Sequence, residues 1–438
     1  MSHIQHSRCE SCGSAPAAGL MLQTCGACRD VAYCSPACQR AHWKAHKAAC
    51  KAAAAELFAA TKERAEAGDT NAQFKLGVLY KHGSGVTKSV RDALLWCRAA
   101  AAAGDAAAQL GLGMSYAEGD VVPKDSAIAV EFYRLAAEQG HAPAQCNLGI
   151  RYARGDGIPR DPALAVTWLN KAVEAGDTRA LLHLANCYCD GIGVPKDSAQ
   201  AAELYQRAAE AGNADAQFNL SKFYHEGEGG IPKDPVQAAV WCRRAAEAGH
   251  DWAQFVLGMC CVLGDVVPKD TAMAAVWFRR AAEAGLAEAQ RILGVFYSKG
   301  EGVPKDMAQA VTWYRKAAEA GLKEALRDLA CLYMTGDGVS KDSAQAAALL
   351  KRAAEAGNAP AQFDLGHLFV CGDGVPKDLA QAVAWWQRAA EAGNVDAQLK
   401  LVHCYATGEG VPVDPAQAAE WLRRAVETPA VASGTDSV

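Results

Sequence analysis

The chain has 438 residues, 44 basic and 49 acidic side chains for a formal net charge of −5, and 94 alanines. Hydrophobic residues make up 51% but aromatics only 7%, which excludes both a sheet-based catalytic domain rich in Val, Ile and Thr and disorder over most of the length. Length alone suggests about three domains.

At the amino terminus, Met1-Ser2-His3-Ile4-Gln5-His6 lacks the apolar core of a signal peptide. Seven of the 17 cysteines then fall between residues 9 and 50. Their spacing is Cys9-x2-Cys12, Cys25-x2-Cys28, Cys34-x3-Cys38 and His46-x3-Cys50. Eight donors in four close pairs satisfy two tetrahedral zinc ions, and outside an oxidising compartment such a pattern reads as metal binding. Every coordination position is filled by protein, so the metal has no open site for catalysis. With seven thiolates and two zinc ions counted, residues 1–51 carry a net charge of about +1, which removes a phosphate-binding reading.

This segment resembles the MYND zinc finger. The likeness rests on Tyr33-Cys34-Ser35-Pro36-Ala37-Cys38-Gln39, Trp43 and His46-Lys47-Ala48-Ala49-Cys50. It implies interleaved sites, with Cys9, Cys12, Cys34 and Cys38 on one ion and Cys25, Cys28, His46 and Cys50 on the other. His42 competes with His46, and the family's His-Lys-x2-Cys ending lands on His46. The resemblance further implies that Gln39 and Trp43 line a shallow groove for proline-rich peptides; the alternative is that Trp43 covers the second zinc site. Residues 51–68 are alanine-rich and are expected to continue the finger's last helix as a cap, with Leu57 and Phe58 covering the first repeat.

From residue 69 to 427 the chain repeats with a period of 36, marked by Gly68, Gly104, Gly140, Gly176 and Gly212. A single insertion at Gly229-Gly230 shifts the register to Gly249, after which Gly285, Gly321, Gly357 and Gly393 come at 36. Each of ten units reads as two helices. A Gly-x-Gly-Val turn stops the first helix, and an Asp such as Asp125, Asp270 or Asp306 caps the second. Trp96, Trp168, Trp241, Trp277, Trp313, Trp385 and Trp421 share one register, with Phe132, Leu204 and Leu349 in the remaining units. Recurrence beside recurrent alanines predicts core packing for these, and for Tyr80, Tyr116 and Tyr152. The pattern resembles the Sel-1-like repeat, a relative of the tetratricopeptide repeat, which implies a mostly α chain: a two-zinc finger followed by an αα-solenoid.

On a 100° wheel starting at the alanine of each first helix (Ala72 in the first unit), positions 3, 6 and 10 residues later lie opposite the core. By likeness to tetratricopeptide arrays they line a groove. Units six and seven place Val256, Met259, Leu263, Ile292 and Val295 there, which reads as a peptide- or helix-docking patch. Asp364, His367, Cys371 and His403 form a weaker candidate for a further metal site. The ten remaining cysteines show no recurrent pair and are expected to be reduced, buried thiols. Residues 428–438 are small and polar and are expected to be disordered.

Together these features read as a non-catalytic, zinc-binding adaptor for protein partners, cytoplasmic or nuclear. No Lys or Arg run marks a nucleic-acid footprint. No membrane span is present, since uncharged apolar stretches such as Ala253–Gly264 fall short of about 18 residues. Two alternatives are a ubiquitin-ligase-associated quality-control adaptor and a methyltransferase of the kind that carries MYND fingers. The second needs a SET domain, for which the repeats leave no room.

Overall fold

The computed structural model describes residues 23–24, 32–33, 36–264 and 267–427, with backbone alone for 23–24, 32–33, 36–46 and 49. The proposed tail, 428–438, lies outside them. The chain forms two compact units, Met1–Ala211 and Gly212–Val438. The first holds a two-stranded antiparallel hairpin, β1 (Gln23–Thr24) and β2 (Ala32–Tyr33), a 31-residue helix α1 (Pro36–Glu66), and four helix pairs. The second unit holds six helix pairs.

Every helix after α1 is 13 residues long, a uniformity that comes from repeated start and stop chemistry. Except in the first pair, which opens at Ser89, the second helix of a pair starts at an Asp whose carboxylate accepts first-turn N–H bonds: Asp125 from Ala127 and Ile128, both at 3.0 Å, Asp270 from Met273 at 2.9 Å and Asp306 from Gln309 at 3.0 Å. The first helix ends at a left-handed glycine, as at Gly155 (φ 80°). Two residues on, Gly157 is also left-handed, and a Cβ there would lie 2.2 Å from the Ser126 carbonyl oxygen. The turn thus closes on the opening residue of the preceding pair's second helix, and only glycine fits.

The same contact explains α1. Gly85 closes on the Ala54 carbonyl, 31 residues back, as Gly157 closes on Ser126 and Gly193 on Pro162. Residues 54–66 are therefore a second helix in register with Val90–Ala102, missing only its own first helix. Ala65 is buried, and Phe58 packs edge-on against Tyr80 with centroids 5.3 Å apart. Leu57, expected to share that cover, is instead 47% exposed.

Within a pair, close approach depends on one position in the first helix, five residues after its reference alanine. Gly113 faces Tyr133, Gly258 faces Phe278, Gly294 faces Tyr314 and Gly366 faces Trp386. The glycine is not kept in every repeat: Ala330 stands in the register opposite Leu350, Ser221 opposite Cys242 and Ala185 opposite Tyr205. The expected core role of the tryptophans holds for Trp241, Trp277, Trp313, Trp385 and Trp421, which are buried. A cation three residues later, Arg244, Arg280, Lys316, Arg388 or Arg424, lies 4.1–4.8 Å from each ring centroid. Trp96 and Trp168 are only half-buried. So are Tyr80, Tyr116 and Tyr152; the Tyr116 hydroxyl sits at the surface and accepts from Arg98 at 3.1 Å.

Successive pairs are joined by a buried glutamine. Gln109, Gln145, Gln254, Gln290, Gln362 and Gln398 donate to the carbonyl eight residues earlier, at the end of the preceding second helix. That helix end would otherwise leave carbonyls orphaned. The Gln254 Oε1 has no hydrogen-bond partner among the described residues, and Leu181 and Leu326 occupy the position in two other repeats. Gln254→Leu is therefore expected to change stability by no more than about 1 kcal/mol, whereas Gln254→Glu, which replaces the donor with a carboxylate, should cost about 2 kcal/mol. Denaturant unfolding of both variants checks this.

Candidate functional site

Cys9, Cys12, Cys25, Cys28 and Cys34 lie outside the described residues. Cys25 and Cys28 fall in the chain between β1 and β2, and Cys34 directly follows β2. Cys38, Gln39, Trp43, His46 and Cys50 all lie on α1, and Cys50 is 2% exposed. At a rise of about 1.5 Å per residue, Cys38 is about 12 Å along the axis from His46 and about 18 Å from Cys50. Two sulfurs on one zinc ion are separated by less than about 4.6 Å, twice the bond length. The helix therefore separates Cys38 from Cys50, while His46 lies one turn from Cys50 and His42 two. Gln39 and Trp43, four residues apart, share a face of the same helix.

In the second unit, the first helices of repeats six and seven are Asp251–Leu263 and Ala287–Lys299. Leu263 is 60% exposed, as expected of a solvent-facing position. Val256, Met259, Ile292 and Val295 are half-buried instead. The first three pack against a core cluster containing Leu257, Phe278 and Phe296, and Val295 packs against the next cluster, with Leu326 and Leu329. A helical wheel registers one helix alone; these side chains lean into the gap beside the neighbouring helix.

The wheel reading passed over Trp252. It is 42% exposed, packs edge-on to Phe255 at 5.7 Å, and begins a row Trp252, Val256, Met259, Leu263 spaced 4, 3 and 4 residues apart. The signal was available, since the residue before the reference alanine falls within the same arc. Asp215 and Glu288 occupy the Trp252 register on the flanking first helices. His250 links two of these helices: its Nδ1 accepts from the Ala253 N–H at 3.0 Å, which leaves the proton on Nε2, 3.6 Å from Asp215.

Farther along, two ion pairs join successive first helices: Arg291 to Asp328 at 2.6 Å and Arg327 to Asp364 at 2.7 Å. Burial raises the Asp328 carboxyl above its ordinary value, and Arg291 opposes this in part. The sequence signal is an Arg followed 37 residues later by an Asp, one more than the period. This arrangement overturns the second metal candidate. Asp364 is held by Arg327, His367 packs edge-on against Phe363 and Trp386, Cys371 is exposed, and His403 is 3.5 Å from Glu409. Burial, then Lys400, holds the His367 imidazole below its usual value. Among the described residues no group of three or more potential donors could hold a metal ion.

Of the ten cysteines outside the finger, Cys146, Cys187, Cys242, Cys261 and Cys404 are buried, four are half-buried and Cys371 is exposed. Burial pushes the Cys146 and Cys242 thiols up to about 12, so they stay protonated and poorly nucleophilic. No helix among the described residues is long and apolar enough to cross a membrane.

Comparison with known families matches residues 9–50 to the MYND finger, a zinc-binding family, and ten segments spanning 70–427 to the Sel1 repeat. A crystal structure of a protective antigen of uropathogenic Escherichia coli, displaying an SLR fold, is 34% identical, covering 84% of this chain and 86% of its own, with a TM-score of 0.54. A Sel1 repeat protein from Oxalobacter formigenes is also 34% identical, over 68% of this chain and 85% of its own, with a TM-score of 0.52. A SET domain-containing protein of Caenorhabditis elegans is 64% identical over 31 residues, which is 7% of each chain.

Proposed function

We propose, on the premise that the chain belongs to the Sel1-repeat family and that a MYND finger precedes its ten repeats, that it is a non-catalytic adaptor with two separate docking sites. The family assignments indicate a protein–protein interaction scaffold; the occupants assigned below are our reading. The observation that carries it is the row Trp252, Val256, Met259 and Leu263, flanked by Asp215 and Glu288 in the same register. An apolar row spaced 4, 3 and 4 residues, with carboxylates beside it, suits an amphipathic helix bearing basic flanks.

At the finger, Cys9, Cys12, Cys34 and Cys38 would hold one zinc ion and Cys25, Cys28, His46 and Cys50 the other. The separation of Cys38 from Cys50 along α1 supports that division. Bound zinc supplies folding free energy to a segment too small to hold itself together. Gln39 and Trp43 on one face of α1 would then receive a proline-rich segment, the indole stacking on proline rings. The match of residues 9–50 to the finger and of 70–427 to the repeats supports the non-catalytic reading over a SET-domain enzyme.

Met259 and Val295 are half-buried, so aspartate at either would disturb the core. The better probe pairs Trp252→Ala with Leu263→Asp, both at exposed positions. Affinity capture with the full chain, this double variant and Cys25→Ala is expected to lose two different partner sets, with circular dichroism of the double variant unchanged. Identical partner sets in all three would overturn the adaptor reading.

A further inference from the structure

The first two repeats enclose a cavity of about 220 Å³, lined by Phe74, Gly77, Leu94, Cys97, Leu112 and Ser115 among others. Its origin lies in the repeat register. At the Cys97 position the fifth repeat also has a cysteine, Cys242, and the third, eighth and tenth have leucine. Five repeats carry an aromatic ring there, Tyr133, Tyr205, Phe278, Tyr314 and Trp386, which can bridge its own first helix and a residue of the next. Tyr133 contacts the Gly113 position and reaches Arg151, whose guanidinium lies 5.9 Å from the ring centroid. Phe278 spans from the Gly258 position to Phe296, 5.3 Å away. In the first repeat, Gly77 and Ser115 occupy the two ends of that bridge, but Cys97 ends at its sulfur, against Gly77. The ring is missing and its space remains.

The mouth is also unblocked. Gly111 stands in the register filled by Lys75, Asn147, Asn219, Val256 and Asp328 elsewhere, and it is the one residue there without a side chain. Apolar cavities of roughly 150 Å³ take up benzene, so the volume suffices for a phenyl group, with Phe74 offering a ring wall. Lys81 and His82 line the cavity and, among the described residues, no carboxylate does; the ion pair from Lys81 to Asp120 is long, at 3.8 Å, and exposed.

We propose that this cavity is a docking pocket for a phenylalanine or tyrosine side chain carried on an acidic peptide segment, the ring taking the place left by Cys97 and the flanking carboxylates facing Lys81 and His82. The pocket belongs to the first unit and stands independently of the row on Asp251–Leu263.

The test uses the full chain and a fluorescein-labelled acidic heptapeptide with one central phenylalanine, against the same peptide with alanine there. Fluorescence anisotropy should show the phenylalanine peptide binding about tenfold or more tightly, the loss expected from leaving one phenyl group unburied. Cys97→Tyr supplies the ring found in the second and seventh repeats and should abolish that preference while raising the melting temperature. Gly111→Asn copies the third and fifth repeats; its Cβ would meet only Phe74, at 3.8 Å, so the fold tolerates it and the mouth closes. If Cys97→Tyr does not fold, Gly111→Asn decides alone. Equal binding of the two peptides, or wild-type affinity in the folded variants, overturns the proposal.

Discussion

Withdrawing zinc with a chelator is expected to unfold residues 9–53 and leave the repeats intact. A segment of this size with few large apolar side chains cannot stand alone, and structural zinc contributes roughly 10–16 kcal/mol of apparent binding free energy per site. The effect should stop at a definite residue. From Ala54 onward α1 is a second helix held by the Gly85 contact, the burial of Ala65 and the Phe58–Tyr80 pair; before it, α1 depends on the finger. Hydrogen exchange read by mass spectrometry should lose protection up to about Ala53 and keep it over 54–66. Zinc release measured by a colorimetric chelator should reach two ions per chain. Loss of protection through the first repeat would show that finger and array fold as one unit, against this expectation.

Gly258→Val is expected to destabilise the second unit strongly. A Cβ on Gly258 would lie 2.7–3.0 Å from three atoms of the Phe278 ring, and that ring is fully buried between Phe255 and Phe296. Nothing there can yield without moving a helix. Overpacking of this kind costs up to about 3 kcal/mol, against which the gain from replacing a helical glycine by valine is only about 0.3 kcal/mol. A milder cycle separates clash from general weakening. Gly258→Ala and Phe278→Leu together reproduce the Ala330 and Leu350 combination of the eighth repeat. The double variant should therefore be more stable than the sum of the single changes by about 1 kcal/mol or more. Additive costs in urea unfolding would mean that the two residues do not oppose each other.

Short-range devices are the ones a sequence displays openly. Asp125, Asp270 and Asp306 were legible as caps, and the glycines as stops, because each acts within four residues of itself. The MYND finger over 9–50 was legible for a similar reason, since its signature is a set of short-range spacings. Trp241 and its counterparts were legible because ten copies of one register make a shared environment the simplest explanation. Trp252 carried a signal too, but one residue before the reference alanine, outside the three wheel positions that define the groove.

Other features had no single-helix signature. Val256, Met259, Ile292 and Val295 read as exposed on their own helices and are half-buried because a neighbouring helix lies alongside. Asp364 reads as a metal donor in the sequence, yet Arg327, 37 residues earlier, holds it at 2.7 Å. The cavity at Cys97 needs small residues at three positions on three helices to coincide in space, and no one of them is unusual alone.

By itself, then, the order of residues determined the two-helix unit, its ten copies and the family of the finger that precedes them, since the repeats rest on hydrogen-bonding and backbone preferences acting over one or two turns and the finger on short cysteine and histidine spacings. Which side chains meet across the row of first helices, and where a ring-sized space is left between them, was decided only by the tertiary structure, because burial depends on what a neighbouring helix brings to the same gap.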